Sequence, residues 1–106
     1  MIHHRRTVQI APGRQADAVA RAHEWLKTVL DSCGVHVRVS VVTTGTLGRM
    51  CFSADYESMG ACEATDAKGF ASPNGKALSA KPGQEERDGT SVFVPNTVHD
   101  EYWRDA

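Results

Sequence analysis

Residues 35–42 read VHVRVSVV, with valine at every odd position and His36, Arg38 and Ser40 between them until Val42 breaks the alternation. A period of two places alternate side chains on opposite faces of a strand, and β-branched residues favour that pleated geometry. The valine row therefore predicts one buried face and one polar face. After six intervening residues, RMCFSADY at 49–56 supplies a second strand, and the glycines at 45 and 48 supply a turn between them, so that the first strand extends to about Thr44 and the pair forms a hairpin.

Outward from the hairpin, the stretch RTVQIA at 6–11 alternates as a short strand and is stopped by Pro12 and Gly13. From Arg14 to Cys33, the residues Ala16, Val19, His23, Leu26, Leu30 and Cys33 recur at helical spacing, and Gly34 follows as a C-terminal stop. Beyond the hairpin, residues 58–68 read as a second helix with a weak stripe. Ser72 and Pro73 open a short third helix, SPNGKALSAK, which ends near Pro82 and Gly83. QEERDG is then a polar loop, TSVFV at 90–94 the fourth strand, and residues 95–106 a tail that docks through Val98, Tyr102 and Trp103.

The order strand, long helix, hairpin, helical region, strand is the split βαβ arrangement of the ferredoxin-like α+β fold, with an antiparallel four-stranded sheet and its helices on one face. Val8, Ile10, Val35, Val37, Val39, Val41, Met50, Phe52, Val92 and Val94 are expected beneath the helices. Thr7, Gln9, His36, Arg38, Ser40, Val42, Arg49, Cys51, Ser53 and Phe93 are left on the uncovered face.

With 106 residues the chain suits one domain, and 41% hydrophobic with 24% charged residues is ordinary for a globular protein. The formal charge of -1 argues against general nucleic-acid binding, which needs a basic face. The first ten residues, MIHHRRTVQI, lack the apolar core of a secretion signal, and no run of about 20 apolar residues is present, so a cytoplasmic protein without membrane attachment is expected. Cys33, Cys51 and Cys62 are odd in number and not spaced as metal ligands; they read as small hydrophobes.

The runs GTLGRMCFSADYESMGACEA at 45–64, ASPNGKALSAK at 71–81 and SVFVPNTVHDEYWR at 91–104 resemble the dimeric α/β-barrel superfamily, particularly its NIPSNAP-like and antibiotic-biosynthesis-monooxygenase-like small members. The likeness covers nearly the whole chain and consists of packing patterns. It implies a homodimer in which two sheets meet, uncovered face to uncovered face, in one barrel. Cofactor-independent monooxygenases, isomerases, haem-degrading enzymes and stress-response proteins share that architecture, which does not choose among them. Two functions stand: an enzyme that binds or converts a small organic molecule in a pocket between helix and sheet, or a non-enzymatic binding or assembly module.

His23 falls between Val19 and Leu26 on the long helix's stripe, where an imidazole could act as a general base or simply hydrogen-bond a carbonyl in the core. No haem-ligand motif of the haem-degrading relatives is recognisable, and no resident cofactor is expected. Trp25 and Tyr56 could flank a planar substrate at a pocket mouth or serve as packing residues. His36, Arg38 and Arg49 lie on the polar side of the hairpin, where they could grip an anion or pair across a dimer with Asp55, Glu57, Asp100 or Glu101. His3 and His4, with His99, Asp100 and Glu101, include metal-capable groups, yet neighbouring histidines in a strand face opposite ways and no metal spacing appears. No metal site is expected.

Overall fold

The computed structural model describes residues 1–42 and 47–106. In chain order its elements are β1 (Ile2–Gln9), α1 (Gln15–Cys33), β2 (Arg38–Val41), β3 (Arg49–Tyr56), α2 (Met59–Ala71), α3 (Pro73–Asp88) and β4 (His99–Arg104). The strands lie in the order β2-β3-β1-β4 with every neighbouring pair antiparallel, which is the ferredoxin-like α+β architecture. The hairpin expected from VHVRVSVV is present as β2 and β3. Its residues 43–46 lie outside the described residues, so only the end of the expected turn is seen, where Gly48 takes a φ of 81°.

Register fixes the faces. Val8 pairs with Met50 and Val41 also pairs with Met50, so even positions of β1 and β3 share a face with odd positions of β2. That face meets α1 through Val8, Ile10, Ala18, Ala22, Met50 and Val92, while a second cluster of Ala54, Tyr56 and Cys62 lies nearer α2. Phe93, expected outside, packs against the first cluster.

Four local expectations are revised. β1 begins at Ile2, because HHRR forms strand despite its polarity, held between β3 on one side and β4 on the other. The fourth regular strand is HDEYWR, so the supposed docking tail is itself the sheet's edge. Val92 to Val94 follows the end of β1 through Ala11 N–H to Val92 O (2.9 Å) and Val94 N–H to Gln9 O (2.8 Å). Asn96, at φ 62°, then turns the chain, and Thr97 Oγ1 donates to Val94 O (2.7 Å) and accepts from Gln9 N (3.1 Å) before the pairing with β1 resumes at His99.

α3 runs through Pro82 to Asp88 and ends on Gly89 in the left-handed region, so QEERDG is helix and not loop. A proline inside a helix removes one backbone bond at a cost of about 3 kcal/mol. Here the turn beyond it is tied to α1 by a two-pronged Arg21–Glu85 ion pair at 2.9 and 3.1 Å.

The buried stripe of α1 also sits one residue away from the expected one. Ala18 and Ala22 are fully buried and Thr28 nearly so, whereas Ala16, His23 and Leu30 are exposed. Small alanines let the helix approach the sheet closely, an advantage that a reading weighted toward large apolar side chains does not register. Gly34 caps the helix as expected, its N–H reaching Leu30 O at 2.9 Å. No described helix is long and apolar enough to cross a membrane.

Candidate functional site

Between the sheet and the helices α1 and α2 lies a cavity of about 220 Å³. α1 contributes Trp25, Leu26 and Val29; α2 contributes Thr65, Asp66, Gly69 and Phe70. The sheet supplies Val8, Phe52, Ala54 and Tyr56 with the polar pair His4 and Arg6, and Phe93 and Val98 close the side toward β4. Trp25 and Phe70 meet edge to face, ring centres 5.3 Å apart. The walls are thus mainly aromatic and aliphatic, with polar groups from β3 and α2 and, side by side on β1, His4 and Arg6.

The placement of His4 and Arg6 follows from register. His4 lies opposite Ala54 on β3 and Tyr102 on β4, and Arg6 lies opposite Phe52 and Asp100. His4 is 8% exposed and stacks flat on Tyr102, ring centres 4.6 Å apart. Its Nε2 lies 2.9 Å from Asp100 Oδ1, and Arg6 grips both oxygens of the same carboxylate, Nε to Oδ1 at 2.7 Å and Nη2 to Oδ2 at 3.1 Å. Burial acts to raise the Asp100 pKa, but the hydrogen bonds from Arg6 and His4 outweigh it and hold the carboxyl below the usual carboxylate range. An ionised carboxylate only accepts, so His4 carries its proton on Nε2 and, in the neutral form, a lone pair on Nδ1.

Three further groups border this end. Tyr56 is buried, and burial pushes its phenol up to about 12. Among the described residues its hydroxyl has no hydrogen-bond partner, yet it is not sealed from open space; the same holds for His4 Nδ1. Asp66 has no ion-pair partner among the described residues. Burial likewise pushes the neighbouring Cys62 thiol up to about 11, so it is inert packing.

Of the residues singled out from sequence, Trp25 and Tyr56 line this cavity. His23 does not. It is exposed on α1 and outside the cavity, so its expected place between helix and sheet is corrected; the histidine that lines that space is His4 on β1. His36, Arg38 and Arg49 are exposed and lie away from the cavity. Arg38 reaches Asp55 within the same chain at 3.8 Å.

Adjacent histidines do face opposite ways. On the uncovered face His3 donates from Nδ1 to Asp55 Oδ1 (2.7 Å) and from Nε2 to Asp105 Oδ1 (2.8 Å), which requires its charged form. Those two hydrogen bonds, Asp55 first, raise the His3 pKa. Among the described residues no three His, Cys, Asp or Glu gather as metal ligands. His4, Arg6, Asp66 and Asp100 were not singled out as site residues from sequence; extending the alternation of β1 back through HHRR would have put His4 and Arg6 on the face of Val8.

A second hollow, about 300 Å³, lies beneath the end of α3 against residues 91–96, where Arg21 and Glu85 are engaged with each other.

The backbone is shared by solved structures at low sequence identity. A NIPSNAP domain protein from Burkholderia xenovorans matches with a TM-score of 0.77 and 17% identity over 100% of this chain and 95% of its own. A NIPSNAP family protein with unknown function from Agrobacterium tumefaciens matches at 0.76 and 12%, over 100% and 88%. An antibiotic biosynthesis monooxygenase matches at 0.70 and 9%, over 100% and 99%. No family model matches the chain, and no curated protein matches it. The chain therefore has the ferredoxin-like fold of NIPSNAP-domain and antibiotic-biosynthesis-monooxygenase proteins. Identities this low carry the fold and leave activity to the site itself.

Proposed function

We propose that the protein binds a small organic molecule in the cavity between its helices and sheet and converts it without a resident cofactor. The observation that carries this reading is the cavity itself, about 220 Å³ with aromatic walls and a polar edge formed by His4, Arg6, Tyr56 and Asp66. An apolar hollow with a few convergent polar groups is the usual form of a small-molecule site. An engineered apolar cavity of ~150 Å³ takes up benzene, so a compound of one or two rings suits this volume. The polar edge supports conversion beyond mere binding, because a histidine hydrogen-bonded to a carboxylate is a group that can move a proton.

We place the site in a homodimer. The helices cover one face of the sheet only, and the other carries half-buried Cys51 and Ser53 on β3 and, on the edge strand β4, Trp103, which is 56% exposed. The barrel resemblance supports pairing through that face. Ser53→Arg, which crowds a third guanidinium between Arg5 and Arg38 on that face, is expected to convert a dimer to monomer in sedimentation velocity; wild-type protein that stays monomeric at tens of micromolar removes the dimer. Three unpaired thiols, Cys33, Cys51 and Cys62, support a reducing compartment such as the cytoplasm.

The test of the cavity is ligand-detected NMR against neutral compounds of one and two rings. Saturable binding is expected for wild type and its loss for Val29→Phe, which fills the space. Absence of binding, or equal binding by the filled variant, leaves a purely structural module as the reading.

A further inference from the structure

Resting on that cavity reading, we infer that His4, backed by Asp100, is a proton-transfer centre, and that the substrate class is a neutral one- or two-ring carbonyl compound with an acidic C–H beside the carbonyl. Three observations converge. His4 is held rigidly, its ring stacked on Tyr102 and its Nε2–H donated to Asp100, so Nδ1 is the one ring atom left without a partner among the described residues. Asp100 is itself fixed by the two-pronged grip of Arg6, so the carboxylate that would stabilise an imidazolium is already oriented and charged. The donors an enolate oxygen would need stand on the same face of the sheet: Arg6, whose Nη1 is not used by Asp100, and Tyr56, whose hydroxyl has no partner among the described residues.

Charge selects the substrate. Arg6 is balanced by Asp100, and Asp66 adds a negative charge with no ion-pair partner among the described residues. A carboxylate ligand would be repelled, whereas a neutral carbonyl compound carries no such penalty.

The step balances without an oxidant or reductant. The substrate C–H breaks and its proton goes to His4 Nδ1. The electron pair moves into a carbon–carbon double bond as the carbonyl becomes an enolate, whose oxygen accepts from Arg6 and Tyr56. The imidazolium then returns the proton to the same carbon or, where conjugation allows, to another, giving exchange or isomerisation. Net charge in the site is unchanged throughout, because imidazolium and enolate form together.

The probe is β-tetralone, a neutral two-ring ketone, incubated with the protein in heavy water while NMR follows both its binding and the exchange of its α-hydrogens. Wild type is expected to bind it and to accelerate exchange along a pH profile with one deprotonation. His4→Gln, which keeps a donor for Asp100, is expected to bind it with exchange lowered by about 100-fold or more, the usual worth of a positioned base, and with that pH dependence gone. Asp100→Asn should lower exchange less and move the profile. Binding with no acceleration in wild type, or acceleration that survives in folded His4→Gln, overturns the proton-transfer role and leaves the cavity reading standing. Failure of β-tetralone to bind wild type, while other neutral ring compounds bind, overturns the assigned substrate class; failure of all of them overturns the cavity reading as well.

Discussion

His4 and Asp100, from opposite ends of the chain, meet 2.9 Å apart, Nε2 to Oδ1, on the helix-facing side of the β1–β4 pair. The contact joins the least conspicuous strand of the sequence to the most polar one, and Arg6 completes it from the same side. Asp100→Ala leaves Arg6 and His4 facing each other without a common acceptor. Because Arg6 and Asp100 side chains keep 30% and 29% exposure, water relieves part of that penalty, and a loss of about 1–2 kcal/mol is expected in urea unfolding.

On the opposite face, His3 bridges Asp55 of β3 and Asp105 beyond β4, and its stabilising effect has a definite pH window. His3 has its pKa raised above 6.5, so its contribution is fully present below that value and fades as pH rises through the higher folded value. Asp55 and Asp105 have theirs lowered below 3.8, chiefly by the same hydrogen bonds from His3, so their contribution is present above that value and fades as pH falls through the lower folded ones. Thermal melts should therefore show the bridge's benefit between the two regions. His3→Gln should flatten the alkaline limb of that window.

Ser72 closes one helix and opens the next, its Oγ donating to Gly69 O at 2.7 Å and accepting from Gly75 N at 3.1 Å. A Cβ on Gly75 would stand 1.9 Å from Gly69 O, so the α2–α3 corner has no room for alanine. Gly75→Ala should cost about 2–3 kcal/mol as overpacking, and Ser72→Ala about 1 kcal/mol as a lost cap. Circular dichroism melts of the two variants rank them in that order.

Tyr56 holds its proton to about 12 in the folded chain, against 10.0 unperturbed. The unfolded chain ionises first, so stability falls as pH climbs from 10 toward 12. Tyr56→Phe should remove that part of the alkaline loss, as read by urea midpoints across the range.

The sheet was legible where alternation was hydrophobic. VHVRVSVV and RMCFSADY announced their pairing because one face of each is apolar, and Gly34 and the Ser72-Pro73 pair marked helix ends through capping chemistry. What stayed hidden had a physical cause in each case. HHRR and HDEYWR alternate in geometry but not in hydropathy, since their inward positions are His4, Arg6, Asp100 and Tyr102, which satisfy one another across strands 96 and 94 residues apart. The polar half of the candidate site was hidden for the same reason. Its aromatic half was not: Trp25 and Tyr56 stood out by residue type alone, whereas His23 stood out on a stripe that two buried alanines shift by one residue.

The most direct test of the account uses the chain's two tryptophans, Trp25 at the cavity and Trp103 on the opposite face of the sheet. With Trp103→Phe, Trp25 alone reports, through its indole N–H resonance, on what enters the cavity. Titration with β-tetralone is predicted to move that resonance saturably, and prior filling of the space by Val29→Phe to abolish the shift. An indole resonance that stays fixed in the folded protein would contradict the account.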